Sequence, residues 1–461
     1  MRVLNNNIYI FLIISLSSIM LSGCGVFYRA NWKEFHNAYH SGNYNYASQV
    51  VMPTEPPQPD QTLDETLGLE KALIGFESGN AAFFSGNFDH SIKLLDISEN
   101  VVLGRSDWTN YKPKYYETIM MNTYKGLAFW AKGDINNARV EFNRVPERQS
   151  QAVQENASMV NKEINKATQE SYKSVENAFS AISNEYGEFA NFKPYADFTN
   201  PFSTYIVALF NILIDRSHFE NGVNYLRRVA SMVPQNSYLV QDFYMAQNIG
   251  LGNKPEPTVW VIYEEGLFPK IDVQKIQVPF VTSSGLKIAN LSLPKFQSND
   301  HSYVPINIRT SEGVYQTQLL SDMERIMKTE FNASFPGEVA KAVTWMVVNL
   351  VAQEVSARYI NKKASKHGGL IGKLGKSKVA GSLAAGAISQ ITNDVETRTW
   401  STLAKEIHLA RFKMPIDRLV HIDGFASVRI APHVDYAMIY VRSPKKTAKP
   451  GVFVFDLKSG I

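Results

Sequence analysis

One short pattern recurs three times in the first third of the chain, and it restricts the front half to helices that turn back on themselves. It reads Ala38-Tyr39-His40-Ser41-Gly42-Asn43-Tyr44-Asn45-Tyr46-Ala47, then Ala82-Phe83-Phe84-Ser85-Gly86-Asn87-Phe88-Asp89-His90-Ser91, then Phe129-Trp130-Ala131-Lys132-Gly133-Asp134-Ile135-Asn136-Asn137-Ala138. Each copy sets a glycine four residues after a small or aromatic one, an apolar residue two beyond it, and Ala or Ser three further. The glycine supplies the left-handed residue that ends one helix. The small residue lets the next helix pack closely against the first. Gly79 and Gly126 fall at a matching small position inside their first helices, and Phe142 at a large position in the second.

This pattern resembles the tetratricopeptide repeat, two antiparallel helices joined by a tight turn. A fourth, degenerate copy runs through Tyr205–Pro234, with Phe219, Gly222, Leu226 and Pro234 in register. Gly42 to Gly86 is 44 residues and Gly86 to Gly133 is 47, against a usual period of about 34. The excess belongs to loops, among them Pro53-Thr54-Glu55-Pro56-Pro57-Gln58-Pro59. Between the third and fourth copies, Glu147–Phe189 is polar, free of proline, and carries apolar or small residues at steps of three and four. That spacing predicts one long amphipathic helix continuing past a kink at Pro146. It is read as lying back on the solenoid; the alternative is an arm that pairs with a partner.

Near Asn253–Pro257 the periodicity changes from helical to alternating. Val259-Trp260-Val261-Ile262-Tyr263 opens a strand. Further strands are expected at Ile276–Val281, Leu286–Leu293, Val304–Thr310, Glu406–Phe412, Leu419–His421, Ser427–Ile430, Met438–Val441 and Val452–Asp456. Pro279 puts its strand at an edge or a bulge. Two or three helices interrupt the strands, among them an apolar one at Gly337–Ile360 and an amphipathic one at Val379–Ile391. The expected architecture is α+β and multidomain. It has a lipoprotein signal peptide at 1–23, an all-α tetratricopeptide-like helical solenoid with the long helix at 24–252, and an α+β domain with a helical insertion at 253–461.

The signal segment carries one cation, Arg2, and an apolar run, Ile8–Met20. The run falls short of the roughly 20 residues a membrane-spanning helix needs and suits a secretory signal. It ends in Leu21-Ser22-Gly23-Cys24, which matches the bacterial lipobox: small residues fit a peptidase cleft, and the Cys24 thiol takes the lipid. Gly25 stands where Asp would retain a lipoprotein in the inner membrane. The address is therefore a lipid anchor in the outer membrane of a Gram-negative bacterium, with the body facing the periplasm. Cys24 is the single cysteine, so disulfides, Cys-cluster zinc sites and thiol catalysis are excluded. With 47 Lys+Arg against 43 Asp+Glu, the charge is too balanced for a general nucleic-acid binder.

Gly369–Ser377 imitates a phosphate-binding loop, but Leu370 stands where the motif needs glycine and no strand precedes it. No nucleotide and no other cofactor is expected. Arg358, Lys362, Lys363, Lys366, Lys373, Lys376 and Lys378 occur with no acid between Glu354 and Asp394. A solvated inter-helix loop accounts for them. The sharper reading is a patch that meets anionic lipid headgroups or a negatively charged partner, at about 1 kcal/mol per cation. His36 and His40 stand i, i+4, a metal-chelating spacing, but no third ligand is near in sequence. A solvated or packed pair is expected, and no metal. The usual hydrolase, metalloprotease and β-lactamase motifs are missing. No catalytic residue is assigned, and the chain is read as a non-enzyme.

Ala138–Arg144 with Asn200-Pro201-Phe202, Glu264-Glu265-Gly266, and Glu396–Leu403 together resemble a poorly characterised family of bacterial lipoproteins with an N-terminal tetratricopeptide part. The resemblance implies the architecture above over nearly the whole mature chain and carries no activity. The family's last phrase usually reads Asp-Thr-Arg-Ser-Trp, then Leu-Pro; Glu396, Thr399 and Ala404 depart from it, while Arg398 and Trp400 are kept. These two are read as a helix end stapled to the sheet, with room for the cation over the indole. The functional expectation is an outer-membrane-anchored scaffold or adaptor that binds an envelope protein through its repeats. The alternative is an envelope enzyme or ligand-binding protein with its site in the α+β domain.

Overall fold

The computed structural model describes residues 30–53, 66–104, 111–185, 192–282, 285–342, 344 and 395–457. They form a mixed structure of helices and antiparallel-rich sheets, so the α+β class holds. Helices α1 (Trp32–His40) and α2 (Tyr44–Val50), α3 (Lys71–Phe84) and α4 (Phe88–Val102), and α5 (Tyr115–Ala131) and α6 (Ile135–Glu185) pack as consecutive pairs. So do α7 (Pro201–Leu213) and α8 (Phe219–Met232), and α9 (Ser237–Gly250) packs on α8.

The three turns form for the reason the sequence suggests. Gly42, Gly86 and Gly133 take φ of 81, 79 and 77°, and the next residue caps the second helix. Asn43 accepts from the Tyr46 amide, Asn87 from His90 and Asp134 from Asn137. A Cβ on Gly126 would stand 2.4 Å from the Phe142 ring, so this glycine sets how closely α5 approaches α6.

Helix α6 has 51 residues and runs through Pro146. At 1.5 Å per residue it is about 76 Å long. Its middle does not lie back on the helix row. The Asn156 side chain donates to the Ala333 carbonyl (3.1 Å), and Gly337 lies against Met159 and Val160. Those partners belong to α10 (helical residues 323–342), and the strand Lys270–Thr282 also runs against α6.

The strands are β1 (Thr258–Glu265), β2 (Lys270–Thr282), β3 (Gly285–Gln297), β4 (Asn307–Thr310), β5 (Gly313–Gln316) and β6 (Gln318–Asp322), followed after α10 by β7 (Glu406–Lys413), β8 (Leu419–Ile422), β9 (Ala426–Arg429), β10 (Tyr436–Ser443) and β11 (Gly451–Asp456). Five form a sheet in the order β11-β10-β1-β7-β6, with β1 and β10 parallel and the other pairs antiparallel. β2 and β3 make a separate ribbon, so Pro279 does sit on an edge strand. A second sheet runs β5-β4-β8-β9. β5 and β6, of four and five residues, are too short to show a period. α10 begins at 323, well before the expected Gly337, and continues through Pro336. Proline reads as a helix start, which hid the turns before it. Most of Gly337–Ile360 and all of Val379–Ile391 lie outside the described residues.

β1 and β10 are buried along their whole length, as a continuous apolar run such as Val259–Tyr263 requires. One face of the large sheet packs on the helices: Trp260 reaches Asp242 of α9, and Tyr440 and Phe453 pack on Phe83 of α3. The other face meets the small sheet, where Tyr263 packs on Phe425 and Tyr315 stacks on Phe412. The hydrophobic core therefore runs unbroken from Phe35 to Leu457 across the helix-to-strand change. All 14 residues of α3 are buried, because this helix is covered by α4 on one side and by the sheet on the other.

Candidate functional site at the helix–sheet seam

The helices facing the sheet carry carboxylates where an apolar residue would be cheapest to bury. Glu77 of α3 and Glu117 of α5 are both buried. Each is answered by segment 395–404, which is neither helix nor strand and leads into β7. The Ser401 and Thr402 amides donate to Glu77 at 2.7 and 3.1 Å, and both hydroxyls join them. The Trp400 amide donates to Glu117 at 2.8 Å, beside donors from Thr399, Tyr111 and the Lys114 amide. Three successive backbone N–H groups are thus read by two side chains of the helix pairs. Burial pushes both carboxyls up from their usual range, and these donors pull against it.

The indole of Trp400 is fully buried and stacks on Phe76 at 4.7 Å and 14°. Arg398 pairs with Glu396 (2.6 Å) and lies over the Tyr111 ring at 5.5 Å. The expected arrangement is therefore corrected: these residues do not end a helix, and the cation sits over the Tyr111 phenol, since Phe76 covers the indole.

Arg442 of β10 ties the seam together. It is 0% exposed. Its guanidinium donates to the carbonyls of Glu264 (3.2 Å), Gly266 (2.7 Å) and Thr402 (3.0 Å) and to the Tyr39 hydroxyl (3.1 Å). Its cross-strand neighbour Glu264 accepts from Tyr124 (2.7 Å) and from Tyr440. Burial raises the Glu264 carboxyl, with Arg442 opposing.

Of the residues singled out in the sequence, His36 and His40 lie at this seam. Their rings stack at 5.7 Å, and His36 Nε2 is 3.2 Å from Ser401 Oγ. Burial first, then Lys445, push His40 down to about 3, which makes a packed neutral pair among cations. Cys24 and Lys362, Lys363, Lys366, Lys373, Lys376 and Lys378 lie outside the described residues.

Glu330 of α10 closes the other end of the seam by accepting the Tyr115 and Tyr116 amides, both at 3.0 Å. Burial raises its carboxyl to about 7. A folded-state value above the unfolded one means that the native state holds the proton longer. Stability from this group is therefore full below about pH 4.5 and is lost as pH rises through about 7. The wild type should lose about 1–3 kcal/mol relative to Glu330→Gln between pH 5 and 8. Urea unfolding of both proteins at the two pH values measures it; parallel pH profiles would disprove it.

On the face of the large sheet away from the helices is a second cluster that sequence reading missed. His301, in the loop after β3, places Nδ1 2.8 Å from Glu265 and 4.0 Å from Glu406, and His408 Nε2 is 2.9 Å from Glu406. Among the described residues, Glu265, His301 and Glu406 are a group whose donor atoms all converge within 4.8 Å. Its legible part is Glu406-Ile407-His408: two ligand-type residues at i, i+2 on an expected strand share a face. His301 could not be placed, being 36 residues from Glu265 and 105 from Glu406. A cleft between Asn236, Gln318 and Arg325 completes the candidates, but its polar groups are already bonded to Leu319 O, Ser237 and Lys193 O.

No protein family, curated protein or solved structure matches the chain.

Proposed function

We propose that the chain is a lipoprotein anchored through Cys24 in the outer membrane, a periplasmic scaffold for an envelope protein built on tetratricopeptide-like helix pairs followed by an α+β unit. The capture of the Trp400, Ser401 and Thr402 amides by Glu77 and Glu117 carries this reading. Helix pairs that read a non-helical backbone by its N–H groups are doing recognition work, here on their own chain. The inner face is thereby filled, so a partner docks on what stays outside: the second helices of the pairs, α6, or the outer sheet β5-β4-β8-β9. Crosslinking followed by purification from detergent-solubilised envelopes should recover a stoichiometric protein partner. Recovery of the protein alone would sink the scaffold reading.

The anchor has its own test. Cys24→Ala removes the lipid acceptor, and among the described residues no helix is long and apolar enough to cross a membrane. The variant should take up no labelled palmitate and should leave the outer-membrane fraction of a sucrose gradient, with an unchanged melting temperature. Continued palmitate incorporation would disprove the anchor.

The alternative, an enzyme or ligand site in the C-terminal half, is favoured by one observation, the carboxylate–histidine cluster of Glu265, His301 and Glu406.

A further inference from the structure

We propose that Glu265, His301 and Glu406 form a site for a divalent transition-metal ion, of which Zn²⁺ is the test ion, with His408 as a positioning residue. Glu265 and Glu406 are direct partners on β1 and β7 and so share a face. Like charges directly opposite each other destabilise a sheet, and Glu265 is completely buried. Lys405 is turned elsewhere, to Ser298 and Glu324. A divalent ion balances both carboxylates.

The donors come from three separate elements: the end of β1, the loop after β3 and the start of β7. Each carboxylate also has a second polar partner, as metal-binding carboxylates do; at Glu406 it meets Oε2, the same oxygen that faces His301. The Ser302 amide donates to the second oxygen of Glu265 at 2.7 Å, and His408 meets Glu406 at 2.9 Å. His408 is buried, and its Nδ1 has no hydrogen-bond partner. Its Nε2 is the nitrogen that faces Glu406. The His301 side chain is 50% exposed, which leaves an entry path and open coordination positions for water. Three protein ligands with an open side are the arrangement of exchangeable and catalytic zinc sites. The imidazole in the donor set suits Zn²⁺ better than calcium or magnesium.

The test is calorimetric titration of Zn²⁺ into the detergent-purified full chain after treatment with EDTA. One equivalent should bind, and the melting temperature should rise by several degrees with excess zinc. His301→Ala and Glu406→Gln should each weaken binding at least about tenfold, and His408→Gln about tenfold, with the zinc-free melting temperature little changed. A variant lacking both His36 and His40 should bind as the wild type does. Zinc X-ray absorption on the wild type provides a check independent of variant folding: one imidazole with oxygen ligands is expected. Absence of binding, undiminished binding in both His301→Ala and Glu406→Gln, or a spectrum with two imidazoles would overturn the site. Two imidazoles that persist in the variant lacking His36 and His40 would make His408 a ligand; two that vanish in it would move the ion to His36 and His40.

Discussion

Arg442→Met should destabilise the folded chain by about 3–5 kcal/mol, the range for breaking a buried charge network by removing one partner. Methionine fills most of the volume but donates nothing. The carbonyls of Glu264, Gly266 and Thr402 then lose a buried donor, and Glu264 loses the cation beside it. Urea unfolding measures the loss as a lower midpoint at unchanged slope. Part of the cost lies in the carboxylate left behind. Adding Glu264→Gln should therefore cost less in the Arg442→Met background than in the wild type. A loss under about 1 kcal/mol would mean that water replaces the guanidinium, and that the seam is wetter than its burial indicates.

Gly42→Ala and Gly86→Ala should separate sharply, although the sequence presents the two glycines as equivalents. Both have positive φ, so alanine costs about 1–2 kcal/mol of backbone strain at either. A Cβ at Gly86 meets nothing within 4 Å, whereas one at Gly42 would stand 1.9 Å from the Lys449 carbonyl oxygen. The Lys449 amide also donates to the Ser41 carbonyl, so the loop between β10 and β11 is fastened to this turn and cannot simply withdraw. Gly42→Ala should therefore lose a further ~1–3 kcal/mol, the usual cost of overpacking. Thermal melting of the two variants beside the wild type decides it. Equal losses would show that the Lys449 loop yields at no cost.

The pair of glycines also marks where reading the sequence stops. The turns after α1, α3 and α5 follow from local rules, since a left-handed residue and an Asn or Asp cap act within a few residues of each other. β1 and β10 were legible because a run of apolar residues, buried on both faces, needs no partner to be recognised. Glu406 and His408 fall on an expected strand, whose period of two puts them on one face, but nothing in the sequence marked them as a pair. Position 442 gave no such signal: a single arginine just past the expected strand Met438–Val441 reads as a solvated strand end. Glu77 and Glu117 likewise read as polar positions on amphipathic helices.

Tertiary structure decided that the inner face of the helix pairs is filled by the chain's own sheet and by segment 395–404. It also decided that Glu264 and Glu265, adjacent in sequence, serve opposite faces of β1: one joins Arg442 and two tyrosines, the other His301. Periodicity sets which way a side chain points, because it depends on backbone geometry over a few residues. What the side chain meets depends on contacts between residues hundreds of positions apart, such as Tyr39 with Arg442 or Glu77 with Thr402, and those are settled only when helices and sheet close on one core.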